Sequence, residues 1–294
     1  MNAMILAAGL GTRLRPYSLL RPKPLFPVLD RPLLSRTIDT LRRAHFDTLV
    51  VNAHHLREQI VSLLQTEKDV VVQQEDEILG TGGGLRKAWG HFSGEPLLVI
   101  NGDIYHTIDL GRVYEQHCSS GAAVTMVLHD CPRFNKVSVA ADGRILDFGG
   151  EAGPESFRRL AFTGIHVLDP AVLQLIPADT FYDILDCYRT VIRQGGEVRA
   201  LEVRDHYWTD MGTPEDYLAL HAYLLQGGGC PGEPASPTLF VSESAELGRG
   251  VNLSDWVSIG AKARIGAGAS LSRVVVWDGA EVTPGEHLHD AIVI

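Results

Sequence analysis

The sequence predicts an α/β protein, with a mixed, mostly parallel sheet covered by helices on both faces and then a short coil of parallel strands. Three features carry this expectation. Short apolar runs alternate with helix-like segments through the first two thirds of the chain, as in a sheet whose crossovers are helices. A glycine- and proline-rich stretch at 226–237, Q-G-G-G-C-P-G-E-P-A-S-P, then sustains neither period. Beyond it, large apolar residues return at a strict interval of six.

Taken in order, residues 3–8, 48–52, 70–73, 97–101, 123–128 and 164–167 read as strands, each a brief apolar run bounded by turn formers. Residues 33–44, 56–64, 84–89 and 111–118 read as helices between them. Asp142-Gly143 separates two β-like runs, 137–140 and 144–148, and predicts a hairpin inserted on the substrate side. A last helix at 215–225 leads into the linker. The expected division is therefore a first domain at 1–226, a linker at 227–237 and a second domain at 238–294.

In the tail, Leu247, Leu253, Ile259, Ile265, Leu271 and Trp277 form one register. Val251, Val257, Ala263, Ala269 and Val275 form a second, and glycine follows the large residue at Gly248, Gly260 and Gly266. One large and one small apolar residue on each short face is the requirement of a three-sided coil, here of about three turns. The pattern resembles the hexapeptide repeats of left-handed parallel β-helices, and self-association through that coil into a homo-oligomer is the expectation.

Composition narrows the function. At 294 residues and 45% hydrophobic, the chain can bury a full core. A net charge of −10 disfavours nucleic acid and anionic membrane as partners, since both need a cationic surface. Against that background Arg13, Arg15, Arg21 and Lys23 form a local basic cluster suited to a small anion. Cys118, Cys131, Cys187 and Cys230 show no C-x-x-C spacing, which predicts reduced thiols and no structural zinc. With no charged leader and no apolar stretch of membrane-spanning length, the expected setting is cytoplasmic.

The most informative segment is 5–27, I-L-A-A-G-L-G-T-R-L-R-P-Y-S-L-L-R-P-K-P-L-F-P. A strand runs into a turn at Gly9 and Gly11, where a tight backbone can aim successive N–H groups at an anion. Arg13 adds a planar fork, and Lys23 a point charge on a segment stiffened by Pro22 and Pro24. A glycine pair after a strand is alone a weak signal. The dinucleotide fingerprint lacks its third glycine, since Leu14 stands there, and the Gly-Lys-Ser/Thr of the phosphate loop is absent.

The whole run L-A-A-G-x-G-T-R-L-R-P followed by P-K-P closely resembles the signature of the sugar-1-phosphate nucleotidyltransferases. The resemblance extends over residues up to about Leu225 and implies a Rossmann-like domain that joins a nucleoside triphosphate to a sugar-1-phosphate. By that resemblance Gly11, Thr12 and Arg13 hold the β- and γ-phosphates, and Lys23 stabilises the α-phosphate, so that Arg13 and Lys23 are the catalytic cations. Leu6, Ala8 and Gly9 complete the nucleotide side of the first loop. Asp103 in N-G-D and Asp210 in W-T-D-M-G-T-P-E-D-Y match the family's two metal-binding aspartates, and imply Mg2+ as cofactor. Taken singly, each aspartate also fits a turn or a helix cap, and Thr213-Pro214-Glu215 is itself an ordinary helix start.

The loop L-G-T-G-G-G-L at 79–85 opens a helix, and its glycines would let the chain pass close to a flat ligand. Family resemblance places Gly80 and Thr81 at the base with Glu75 nearby, and Glu75 could accept hydrogen bonds from guanine without fixing the base. Thr163 and Gly164 in L-A-F-T-G-I-H-V-L-D-P match the family's sugar-contacting pair, although a core strand explains the same segment; Asn101 and Gly149 are the other sugar-side positions. Here the chain departs from its relatives. Many carry Glu-Lys-Pro after the hairpin, whereas this chain reads F-G-G-E-A-G-P at 148–154, with Lys136 the nearest substitute for the missing charge and an exposed hairpin lysine its simpler explanation. His54, His55, His287 and His289 lack zinc-site spacing and read as structural or exposed.

Two patterns compete within the family. The L-G-T-G-G-G-L and A-F-T-G-I-H-V-L segments look most like N-acetylmuramate-1-phosphate uridylyltransferases. The appended coil looks more like mannose-1-phosphate guanylyltransferases. UTP and GTP therefore both stay open. Hexapeptide coils also occur in acyltransferases, but this one lacks an embedded catalytic histidine within its coils. A non-catalytic regulatory subunit that binds sugar nucleotide is the other alternative, and the intact set Arg13, Lys23, Asp103 and Asp210 weighs against it.

Overall fold

Strands β1 (Asn2–Leu6), β2 (Thr48–Ala53), β3 (Val70–Gln74) and β4 (Leu97–Asn101) lie in the order β3-β2-β1-β4, all parallel. In this computed structural model, residues 1–149, 157–228 and 238–294 are described. Met4 stands opposite Val50 on one side and Val99 on the other. Ala3, Met4 and Ile5 are all fully buried, so both faces of the sheet are covered, as a parallel sheet requires. Beyond β4 the sheet becomes mixed. Strands β5 (Val124–His129), β6 (Asn135–Val139), β7 (Ile145–Phe148), β8 (Arg158–Leu168) and β9 (Val198–Glu202) extend it. β8 runs antiparallel to β4, β5 and β6, while β9 joins β5 in parallel. β6 and β7 form the expected hairpin, whose turn residue Gly143 takes a left-handed φ of 85°.

Among the helices, α1 (Leu33–Arg43), α2 (Arg57–Leu64) and α4 (Leu110–Ser120) fall within two residues of their expected limits, while α3 (Gly80–Ala88) begins earlier. Helix α5 (Ile184–Arg193) was not anticipated, although its stripe Ile184, Cys187, Tyr188 and Val191 has helical spacing and is buried. β8 is longer than the apolar run 164–167 suggests. Gly164 interrupts the run at φ 83°, where the pairing with β5 shifts register, and a bulge rather than a strand end results.

Packing divides the chain into two units. One comprises Met1–Leu10, Thr37–Gly102 and Ile108–Trp208; the other comprises Gly11–Arg36, Asp103–Thr107 and Thr209–Ile294. The first holds the large sheet. The second gathers the first-loop segment, a short strand Ile104–His106, the end of the strand Trp208–Asp210 from Thr209 onward, helix α6 (Pro214–Leu225) and the C-terminal strands. Most of the expected linker, at 229–237, lies outside the described residues.

The tail forms two parallel ladders. One is β10 (Leu239–Val241), β12 (Asn252–Ile259), β14 (Ser270–Val276) and β16 (His287–Val293); the other is β11 (Glu246–Leu247), β13 (Arg264–Ile265) and β15 (Glu281–Val282). Leu253 stands beside Leu271 and then Leu288, and Leu247 beside Ile265 and Val282. A side chain at Gly248 would meet the backbone nitrogen of Ala267 at 2.4 Å, and one at Gly266 that of Pro284 at 2.3 Å, which explains the recurring glycines. The period is not kept throughout. A strict six puts Trp277 beside Ile259, but the register shifts after Ser254 and Val276 takes that place. One residue of slip turns the indole elsewhere.

Candidate active site

In the second unit, Lys23 is the centre. A short 3-10 turn, Lys23–Leu25, follows Pro22 in extended conformation, and the lysine is only 6% exposed. Its Nζ donates to Asp103 Oδ2 at 2.7 Å and to Asp210 Oδ1 at 2.9 Å. The two carboxylates are brought together by the pairing of Ile104–His106 with Trp208–Asp210, and Met211 N–H donates to Asp103 O at 3.1 Å. Arg13 Nη2 lies 3.5 Å from Asp210 Oδ2, with most of its side chain exposed. Gly212 permits this approach: a Cβ there would stand 2.9 Å from both Arg13 Nη1 and Asp210 Oδ2. Gly11, at φ 61°, turns the chain ahead of Thr12, and Thr12 and Arg13 are exposed.

These groups suit a divalent cation with phosphates. Two carboxylates reach a single nitrogen, which makes an oxygen-only donor set aimed at one point. Magnesium is usually held by one or two carboxylates together with waters and substrate phosphates. Among the described residues no group of three or more His, Cys, Asp or Glu could hold a metal. A metal here would therefore complete its shell with substrate oxygens.

In the first unit the remaining expected site residues fall into separate groups. Leu6 and Asn101 are register partners at the ends of β1 and β4, and Gly102 N–H donates to Leu6 O at 2.8 Å. The Asn101 side chain lies over Gly164, where a Cβ would stand 2.8 Å from its Nδ2. Thr163 is fully buried, and its hydroxyl donates to Val127 O at 2.8 Å. Trp208 Nε1 in turn donates to Thr163 O at 2.7 Å. Ala8 is buried, and Gly9 is exposed just beyond β1. Gly149 ends the hairpin with its N–H on Lys136 O at 2.7 Å, and the Lys136 side chain is exposed. Residues 150–156, most of the segment that departs from the family pattern, lie outside the described residues.

Glu75 is 1% exposed and works within the protein. Its Oε1 accepts from Asn52 Nδ2 at 2.8 Å, while Asn52 Oδ1 accepts from Ala7 N–H at 2.7 Å. This network ties the end of β1 to the loop before α3. Asn52 was not singled out in the sequence, where a buried strand-end asparagine carries no motif. The glycines of α3 likewise meet protein. A Cβ at Gly83 would stand 2.4 Å from Thr180 O, and one at Gly80 would stand 2.7 Å from Tyr182 O. Thr81 Oγ1 accepts from Ile184 N–H at 2.9 Å, so it caps α5.

A family model described as nucleotidyl transferase matches residues 2–227. The chain belongs to the nucleotidyl transferase family. It is 28% identical to a UTP–glucose-1-phosphate uridylyltransferase of Synechocystis, over all of this chain and 87% of that protein. It is 27% identical to a mannose-1-phosphate guanylyltransferase of Mycobacterium tuberculosis, over 97% of this chain and 82% of that one. Among solved structures, a putative glucose-1-phosphate thymidylyltransferase from Bacillus anthracis in complex with sucrose superposes with a TM-score of 0.65 at 22% identity, covering 76% of this chain and 94% of that one. HddC from Yersinia pseudotuberculosis complexed with GMP-PN gives 0.62 at 22%, covering 75% and 97%. At that identity the likeness shows the fold, which is the mixed α/β sheet described above.

Within this nucleotidyl transferase, Gly212 is the missed residue whose signal was present, because D-M-G-T-P contains it. Trp277 gave no such signal, since its six-residue spacing pointed to the coil interior. Among the described residues no helix is long and apolar enough to cross a membrane.

Proposed function

We infer that the chain is a sugar-1-phosphate nucleotidyltransferase, forming a nucleoside diphosphate sugar and pyrophosphate from a nucleoside triphosphate and a hexose-type sugar-1-phosphate. The observation that carries this is the buried Lys23 ammonium held by Asp103 and Asp210, with Arg13 on the same aspartate.

In the reaction, an oxygen of the sugar phosphate forms a bond to the α-phosphorus as the bond to the β-phosphate oxygen breaks. Pyrophosphate leaves with that electron pair. The nucleophile is already an anion, so no base has to remove a proton. Magnesium, held by Asp103 and Asp210, would neutralise phosphate charge when bound. Lys23 supplies a fixed positive charge to the α-phosphate as charge builds there, and its burial strengthens that interaction. Arg13, exposed and forked, engages the outer phosphates with Gly11 and Thr12. Gly80 and Thr81 take the base side through backbone groups, because the Thr81 hydroxyl is engaged with α5. Asn101 and Gly164 take the sugar, with Thr163 beneath them as support. The names of the relatives divide between uridylyl and guanylyl transfer, so UTP and GTP are the two triphosphates to test first.

The tail is proposed to be a left-handed β-helix, supported by its two parallel ladders and the repeat of leucine beside leucine. Residues 1–226 and 238–294 would then be the catalytic and coil domains. Self-association through the coil has support in the exposed Leu239, Val241 and Leu247 on edge strands β10 and β11. Sedimentation of a Leu247→Glu variant tests it, and an unchanged oligomeric state would remove that role. Cys118, Cys131 and Cys187 are free thiols, in keeping with a cytoplasmic setting.

Purified protein with magnesium, each common nucleoside triphosphate and a panel of sugar-1-phosphates is the decisive assay. Pyrophosphate release with one pair, lost in Asp103→Ala, is the expected result. Nucleotide binding without release from any pair would instead indicate a non-catalytic subunit.

A further inference from the structure

The segment 17–28 that carries Lys23 is built only of short elements: a four-residue helix Tyr17–Leu20, the 3-10 turn Lys23–Leu25 and a two-residue strand Pro27–Val28. Elements this short depend on tertiary contacts to hold them in place. The contacts on either side of the lysine converge on two consecutive residues after β14. Two residues before Lys23, Arg21 donates to both carboxylate oxygens of Asp278, at 2.8 and 3.1 Å. Its guanidinium also lies over the Trp277 ring, 4.7 Å from the centroid. Three residues after Lys23, the fully buried Phe26 meets Trp277 edge to face, with centroids 4.8 Å apart. Tyr17 touches the same indole at 6.2 Å. Trp277 Nε1 then donates to Tyr217 Oη at 3.1 Å, and that hydroxyl donates in turn to Pro27 O. Trp277 is 3% exposed, so these contacts fill its surroundings.

We propose that Trp277 and Asp278 are positioning residues for Lys23, which makes the C-terminal strands part of the catalytic apparatus. The proposal rests on the nucleotidyltransferase reading above. The physical basis is simple. Lys23 must present its ammonium to a phosphate within a fraction of an ångström, and a displacement of about 1 Å can cost about 10²-fold in rate. Pro22 and Pro24 stiffen the backbone locally but do not anchor it. Phe26 and Arg21 provide the anchors, and both end on the turn at Trp277-Asp278. The register slip in the tail is what frees the indole to face Phe26 rather than the coil interior.

The test uses the full chain with Trp277→Ala, Trp277→Phe and Asp278→Asn, and Arg264→Ala on the exposed coil surface as control. Three measurements are made: steady-state kinetics of pyrophosphate release (kcat and KM), thermal unfolding, and the rate at which acetic anhydride acetylates Lys23, followed by mass spectrometry. In folded Trp277→Ala, kcat is expected to fall about 10- to 100-fold while nucleotide KM changes less than about threefold. Acetylation of Lys23 is expected to rise at least about fivefold, by loss of the packing that holds it. Trp277→Phe, which keeps an edge-on ring, should recover most of both, and Asp278→Asn should show a smaller effect in the same direction. Wild-type kcat and labelling in a folded Trp277→Ala would overturn the proposal, as would a kcat loss fully matched by unfolding. Should the wild type turn over no substrate pair, the functional reading fails, and the Lys23 labelling still decides whether Trp277 places that lysine.

Discussion

The ammonium of Lys23 stands 2.7 Å from a carboxylate oxygen of Asp103, with almost all of the lysine removed from water. The pair is one half of a bridge that Asp210 completes at 2.9 Å. Replacing Lys23 with Met keeps the length and loses the charge. Turnover should fall about 10²- to 10³-fold, as when a charge-stabilising group is removed from a reacting centre. The variant should also melt lower than wild type, because two partly buried carboxylates are left facing each other. Steady-state pyrophosphate release and calorimetry measure the two effects.

Gly83 offers a test of why α3 opens with glycines. A methyl group there would lie 2.4 Å from Thr180 O, whereas at Gly90 it would meet nothing within 4 Å. Gly83→Ala should therefore cost about 1–3 kcal/mol by overpacking. Gly90→Ala should be neutral or stabilising by up to about 1 kcal/mol. Urea unfolding of both variants compares them directly.

Stability should fall in mild acid through buried histidines. His166 lies between Phe162 and Tyr188 with both ring nitrogens unpaired, and burial lowers its pKa to about 3. His221 is lowered to about 4 by burial, its Nδ1 donating to Tyr217 O and its Nε2 accepting from Leu29 N–H. Each stays neutral when folded but takes a proton when unfolded below the ordinary value of 6.5. The contribution is whole above pH 6.5 and is lost as pH falls toward the folded values, at about 1.4 kcal/mol per unit for each group. Melting temperature against pH should show this slope, and His166→Phe should flatten it.

Trp208 should act on the sugar side. Its indole N–H fixes Thr163 O at 2.7 Å, directly before Gly164. Trp208→Phe removes that hydrogen bond and should raise KM for the sugar-1-phosphate about 3- to 10-fold, with nucleotide KM nearly unchanged. An equal rise in both would argue against a sugar-side role.

Much of the fold was legible because it depends on neighbours in sequence. Strand β1, its glycine turn and helix α1 follow from apolar period and turn chemistry, and so does the hairpin at Asp142-Gly143. Helix α5 was legible in principle from its stripe Ile184, Cys187, Tyr188 and Val191, yet no motif drew attention to it. β8 was underestimated because Gly164 looked like an end and is a bulge. For the site, the residue types of Arg13, Lys23, Asp103 and Asp210 were readable from family motifs. The environment of Glu75 was not, because its partner Asn52 lies 23 residues away with no motif of its own.

The sequence by itself determined most strands and helices of the sheet and the family signature, set by spacing over a few positions, while the six-residue period it suggested for the tail is kept only in part. Only the tertiary structure decided how particular side chains are used. Thr81 caps a helix whose first residue is 103 positions further along the chain, and Arg21 finds its counter-ion 257 positions away. Trp277, which a strict six-residue repeat would set beside Ile259, instead follows a one-residue register slip and packs on Phe26. Such partners are chosen by which surfaces pack together, and local residue spacing does not encode that choice.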